Sequence, residues 1–130
     1  MPDNSTLILA ESHASKLTAF DITADGGLSS QRVWAELDGG VPDGICIAAD
    51  GAVWYADVPY KCCVRVREVG EVLERAEYDR GCFACMLGGA DRSTLFIVAQ
   101  EWAGPENMAG AQRTGQLLTV RAPAPAAGWP

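Results

Sequence analysis

Few residues of this chain carry types and spacings that chemistry uses. Cys82-Phe83-Ala84-Cys85 has the two-thiol spacing of zinc sites and redox dithiols, but a zinc centre needs a second such pair or added imidazoles, and His13 is the single histidine. Buried strand thiols are the simpler reading. Cys62 and Cys63 are adjacent in an extended run, so their side chains leave on opposite faces and cannot easily converge on one metal. Ser12-His13 sets a hydroxyl beside a base, yet strand neighbours face apart and no Gly-x-Ser-x-Gly elbow accompanies them. Gly88-Gly89 and Asp25-Gly26-Gly27 lack the Gly-Lys-Ser/Thr ending and following helix of a phosphate loop, and read as turns. Asp43, between Pro42 and Gly44 ahead of an apolar run, occupies a setting in which a carboxylate accepts hydrogen bonds from nearby backbone N–H groups.

Composition narrows the choices further. The chain has 130 residues, 17 acidic and 10 basic, for a net charge of −7. Scattered basic residues cannot neutralise a phosphate backbone, so nucleic acid is not an expected partner. With 48% apolar and 21% charged residues the chain can bury a core. No apolar run approaches the roughly 20 residues of a membrane span, and the first residues show no secretory pattern. A cytoplasmic protein without membrane association is expected, in which the five cysteines are reduced and pack as small hydrophobes.

The elements that must position these residues are strands. Gly and Pro punctuate short apolar or alternating runs, and helical periodicity is nearly absent. The runs predict strands over Leu7–Ser12, Lys16–Thr23, Gln31–Leu37, Gly44–Ala48, Val53–Val58, Cys63–Glu68, Val72–Tyr78, Cys82–Leu87, Leu95–Gln100 and Gln116–Ala122. Trp34, Trp54 and Trp102 fall in or beside these runs as packing residues. Ala103 to Thr114 is the longest polar connection and the expected lid or partner loop.

An acidic turn followed by an apolar strand recurs at Asp3-Asn4-Ser5-Thr6-Leu7, Asp50-Gly51-Ala52-Val53-Trp54 and Asp91-Arg92-Ser93-Thr94-Leu95. The spacings, 47 and 41 residues, match a four-stranded propeller blade. The fold class expected is therefore all-β: a partial β-propeller of about three blades of four-stranded antiparallel sheets. Closed propellers have typically 4–8 blades, so these residues do not close a ring by themselves. One domain, 1–130, is expected, ending in a Pro/Ala-rich tail at 123–130 whose prolines cannot donate ladder N–H groups.

Pro2-Asp3-Asn4-Ser5-Thr6-Leu7, Ala10-Glu11-Ser12, Leu17-Thr18-Ala19-Phe20-Asp21-Ile22, Val41-Pro42-Asp43-Gly44-Ile45-Cys46, Ala52-Val53-Trp54-Tyr55-Ala56 and Leu87-Gly88-Gly89 together resemble the C-terminal half of the senescence marker protein (regucalcin)/gluconolactonase family. The resemblance covers essentially the whole chain, and Val-Pro-Asp-Gly with the following Asp-Gly turn and Val-Trp is its most specific part. It implies a six-bladed propeller that binds one divalent cation (Ca, Zn, Mn or Mg) in its channel and hydrolyses sugar lactones. It also implies a ligand set of a first-blade Glu, an Asn from an Asn-Gly motif, and the Asp of Pro-Asp-Gly. Asp43 is the position that carries over, as metal ligand and hence as catalytic residue; the other two have no counterpart here. The expected function is thus the downstream half of a metal-dependent sugar-lactone hydrolase, incomplete as a catalyst alone. The alternative is a non-catalytic β-sheet module that associates as a homo-oligomer through open strand edges.

Overall fold

Asp3, Asp50 and Asp91, the acidic positions of the repeat, do the same local job. Each carboxylate accepts the backbone N–H two residues on, from Ser5 at 3.0 Å, Ala52 at 3.3 Å and Ser93 at 3.1 Å. Such a turn releases the chain directly into an extended segment. The computed structural model, which describes residues 1, 3–107 and 113–128, has a strand after each of them.

Ten strands are present among the described residues: β1 (Thr6–Glu11), β2 (Lys16–Ile22), β3 (Leu28–Glu36), β4 (Pro42–Ile47), β5 (Val53–Asp57), β6 (Cys62–Val66), β7 (Val72–Glu77), β8 (Gly81–Gly88), β9 (Thr94–Gln100) and β10 (Gln116–Arg121). They form three antiparallel sheets, β1-β2-β3, β4-β5-β6-β7 and β8-β9-β10. The ten expected runs are these ten strands. Two start more than one residue earlier than expected, β3 at Leu28 and β4 at Pro42, which takes Asp43 into the strand, and the first stops at Glu11 because Ser12–Ala14 close into a 3-10 turn. Among the described residues only the central sheet has the four strands of a whole blade. The acidic turn opens the second strand of the central and third sheets, β5 and β9, so β1 is their equivalent. The first sheet therefore lacks a counterpart of β4 and β8, and the third lacks a counterpart of β7, among the described residues.

The central sheet is apolar on both faces because it is covered on both. All five residues of β5 and all five of β6 are buried. Alternation splits them between two cores. Val53, Tyr55 and Val64 pack with Ile8, Leu17 and Trp34 of the first sheet, while Trp54, Ala56 and Cys63 pack with Cys85, Leu95 and Ile97 of the third. Trp34 and Trp54 are thus core residues, as expected, and truncating either to Ala would cost about 3–5 kcal/mol.

The tail acts as a tie between sheets. Its prolines donate nothing, but Ala126 N donates to Arg92 O at 2.9 Å, Ala127 N to Ile47 O at 3.0 Å, and Pro125 O accepts Ala49 N at 2.7 Å. The end of the chain is thereby stitched to the central and third sheets together. Within the expected lid, Pro105–Asn107 form a 3-10 turn, and residues 108–112 lie outside the described residues, as do 129–130 of the tail. Among the described residues no helix is long and apolar enough to cross a membrane.

Candidate functional site

The inner edge of the central sheet begins with a break in its ladder. Pro42 pairs with Asp57 and Ile45 with Tyr55, and the register shifts between them. Asp43 and Gly44 therefore occupy a bulge, a device that re-aims side chains at sheet ends. Asp43 is solvent-exposed, although the chain packed around its base raises its carboxyl pKa above the ordinary value.

Three neighbours hold this bulge. Asp57, only 1% exposed, receives Val41 N on Oδ2 at 2.8 Å and Tyr60 N on Oδ1 at 3.1 Å. It thereby clamps the β5–β6 turn to the chain entering β4. Burial raises its pKa, opposed by those two N–H donors. Ser12 Oγ donates to Pro42 O at 2.6 Å from the 3-10 turn of the first sheet. On the third side Gly44 abuts β8: a methyl group there would lie 2.7 Å from Ala84 Cα and 3.1 Å from Phe83 O. Cys85 Sγ also approaches Gly44 O at 3.5 Å. Just along β8, Phe83 meets Trp102 edge to face with centroids 5.9 Å apart, and the two help to line a hollow of about 300 Å³.

The other residues singled out in the sequence are accounted for structurally. Ser12 is not in the extended strand predicted for it; the 3-10 turn directs its hydroxyl to Pro42, and His13 beside it is exposed. Glu11 is engaged within its own sheet by the Thr18 hydroxyl and by Lys16 at 3.8 Å. All five cysteines are free and buried. Cys62 and Cys63 do face opposite ways, the first into the core shared with the first sheet and the second into that shared with the third. Cys46, Cys63, Cys82 and Cys85 meet in the latter core. The neighbouring Cys82 and Cys85 thiols hold the Cys63 pKa below the ordinary thiol value, while Cys63 and burial hold that of Cys82 above it.

Sequence reasoning missed Asp57. Its only signal was a carboxylate closing the otherwise apolar Val53-Trp54-Tyr55-Ala56 run, a position where a charge is kept only if it has partners.

The resemblance implies a divalent cation, and these three sheets do not provide for one by themselves. Among the described residues no group of three or more His, Cys, Asp or Glu side chains is placed to hold a metal ion. Asp57 spends both oxygens on backbone N–H groups, leaving Asp43 as a single outward carboxylate where a hard cation takes about six or more oxygens.

Successive antiparallel sheets packed face on face, each with the same acidic turn ahead of one of its strands, are the architecture of a β-propeller. Residues 1–101 match the family described as SMP-30/Gluconolactonase/LRE-like region, and the chain belongs to that family. Over 103 residues it is 30% identical to a protein named regucalcin from Xenopus laevis, covering 75% of this chain and 34% of that protein. The chain thus spans about a third of the length of the curated relatives it matches. Among solved structures, a calcium-binding protein, regucalcin, from Agrobacterium tumefaciens matches with a TM-score of 0.72 at 21% identity, over 98% of this chain and 45% of that one. A gluconolactonase from Xanthomonas campestris matches with a TM-score of 0.64 at 26% identity, over 75% of this chain and 32% of that one.

Proposed function

We propose that this chain is part of a sugar-lactone-hydrolysing propeller and contributes Asp43 as one ligand of a divalent cation. The observation that carries the reading is the exposed Asp43 carboxylate, set in a bulge at the start of the inner strand β4 and held from three sheets at once. A ligand needs that kind of fixed backbone. The gluconolactonase and calcium-binding descriptions of the two solved relatives support the same substrate class and cofactor.

In this reading the remaining cation ligands come from sheets outside these three. What the chain itself does is positional: Asp57 and Ser12 hold the backbone on which Asp43 stands. When bound, the cation would polarise the lactone carbonyl.

The test is a chimera in which this chain replaces the corresponding segment of the Xanthomonas campestris gluconolactonase. Cation-dependent opening of gluconolactone, followed by pH-stat, is expected, with Asp43→Asn lowering the rate by at least about 100-fold, because loss of a ligand costs no less than loss of the groups that support one. A chimera that melts as one cooperative unit but opens no lactone, or one indifferent to Asp43→Asn, overturns the reading.

A further inference from the structure

A hollow of about 240 Å³ opens between the first and central sheets, and every residue lining it falls within 37–75. Its walls come from two consecutive sheets and the turns that join them. Tyr55 of β5 is opposite Val64 of β6, which is opposite Arg75 of β7, so the three side chains form one row on the face turned to the first sheet. Asp57, two residues on from Tyr55, leaves β5 on that same face. Residues 37–40, between β3 and β4, supply the facing wall and come close: a methyl group on Gly40 would lie 2.6 Å from the Tyr55 hydroxyl. Leu37, Val66 and Val72 add apolar surface, and the exposed Tyr60 stands at the rim.

The polar groups of this hollow have hydrogen-bonding capacity left over. Tyr55 is 2% exposed, yet its hydroxyl has no hydrogen-bond partner among the described residues. Buried hydroxyls ordinarily have one. Burial, with Asp57 nearby, pushes the Tyr55 pKa up to about 12, so the hydroxyl keeps its proton and remains a donor. Arg75 Nη1 donates to Cys62 Sγ at 3.1 Å, a weak acceptor, and this guanidinium makes no other hydrogen bond among the described residues. Asp57 holds one backbone N–H on each oxygen, and a carboxylate oxygen has room for a second donor. Two donors and an acceptor thus line an otherwise largely apolar hollow, the pattern of a small-molecule site.

We propose that this hollow binds a neutral cyclic polyol of monosaccharide size, with Tyr55 and Arg75 donating to its hydroxyl oxygens and Asp57 accepting from a hydroxyl. Charge decides against the other classes. An anion drawn to Arg75 would be set against the buried Asp57 carboxylate, and a cation drawn to Asp57 would be set against Arg75. Neighbouring hydroxyls donate and accept at once without either conflict, and the C–H groups of the ring lie against Leu37, Val66 and Val72. The site uses neither Asp43 nor a cation, so it stands or falls separately from the lactone-hydrolase reading.

The experiment is a titration of the isotope-labelled chain with myo-inositol, a rigid ring of hydroxyls with no lactone, followed through amide chemical shifts. Saturable shifts are expected at Gly40, Val41, Tyr60 and Arg75, with a midpoint in the millimolar range. Tyr55→Phe removes only the unpartnered hydroxyl and is expected to weaken binding about 10-fold while leaving the urea midpoint at or above that of the wild type. Arg75→Met is expected to weaken binding by a similar factor. Sodium acetate and trimethylammonium chloride at the same concentrations are expected to leave these amides in place. Shifts that stay linear in concentration, equal shifts from acetate or trimethylammonium, or an affinity indifferent to Tyr55→Phe each overturn the proposal. So does a fall in the urea midpoint of Tyr55→Phe, which would show that the hydroxyl already has a partner in the fold.

Discussion

Asp57 Oδ2 accepts the Val41 N–H at 2.8 Å, two residues before Asp43, so a buried carboxylate at the end of β5 sets the place of an exposed one at the start of β4. The same carboxylate takes Tyr60 N–H at 3.1 Å, which fixes the β5–β6 turn to the same point. For the ligand role proposed for Asp43, the fold has already done the ordering that a carboxylate on a flexible loop would have to undergo on binding.

Replacing Asp57 by Ala should leave two backbone donors unsatisfied and lower the unfolding free energy by about 3 kcal/mol. Asp57→Asn, which keeps one carbonyl acceptor, should recover about half of that. Urea denaturation followed by tryptophan fluorescence measures both, and equal losses from the two variants would show that the hydrogen bonds are not the cause.

The pH dependence follows from the direction of the Asp57 shift. Burial raises its folded-state pKa above the ordinary 3.8, against the pull of the Val41 and Tyr60 donors. The folded state therefore holds the proton more tightly than the unfolded one. The associated stability is complete below about pH 3.8 and is lost as pH rises through the folded-state value. The difference in unfolding free energy between wild type and Asp57→Asn should shrink over that window and then stay level. Exposed carboxylates such as Asp21, held low by the Arg32 guanidinium, act in the opposite direction, but equally in both proteins, and cancel.

Gly44→Ala should separate the central and third sheets. Its methyl group would sit 2.7 Å from backbone at Ala84, where no side-chain rotation relieves the clash. A loss of about 1–3 kcal/mol is expected, as for overpacking elsewhere. Chemical-shift changes should reach Cys85, whose thiol approaches the Gly44 carbonyl; a silent substitution would mean that β4 and β8 are looser than described.

Val69 gives a prediction of the opposite sign. It is 89% exposed and sits at φ 69°, a left-handed conformation that a β-branched residue adopts at a cost. Val69→Asn should raise stability by about 0.5–1 kcal/mol, read as a higher urea midpoint with an unchanged slope.

Strand positions, the three-part repeat and the burial of Trp34 and Trp54 were legible in the chain itself, because they rest on local rules: alternation along a strand, turn chemistry at Asp3, Asp50 and Asp91, and the scarcity of helical periodicity. Asp43 could be picked out only through its Pro-Asp-Gly setting and the family it resembles. What tertiary structure alone decided is everything that needs two distant segments in one place. Asp57 reaching Val41, Ser12 reaching Pro42, Gly44 against Ala84 and four thiols gathered in one core are of this kind. Local sequence sets which way a side chain points from its own strand; only the packing of sheets determines what it finds there, because the partner's position depends on the whole intervening chain.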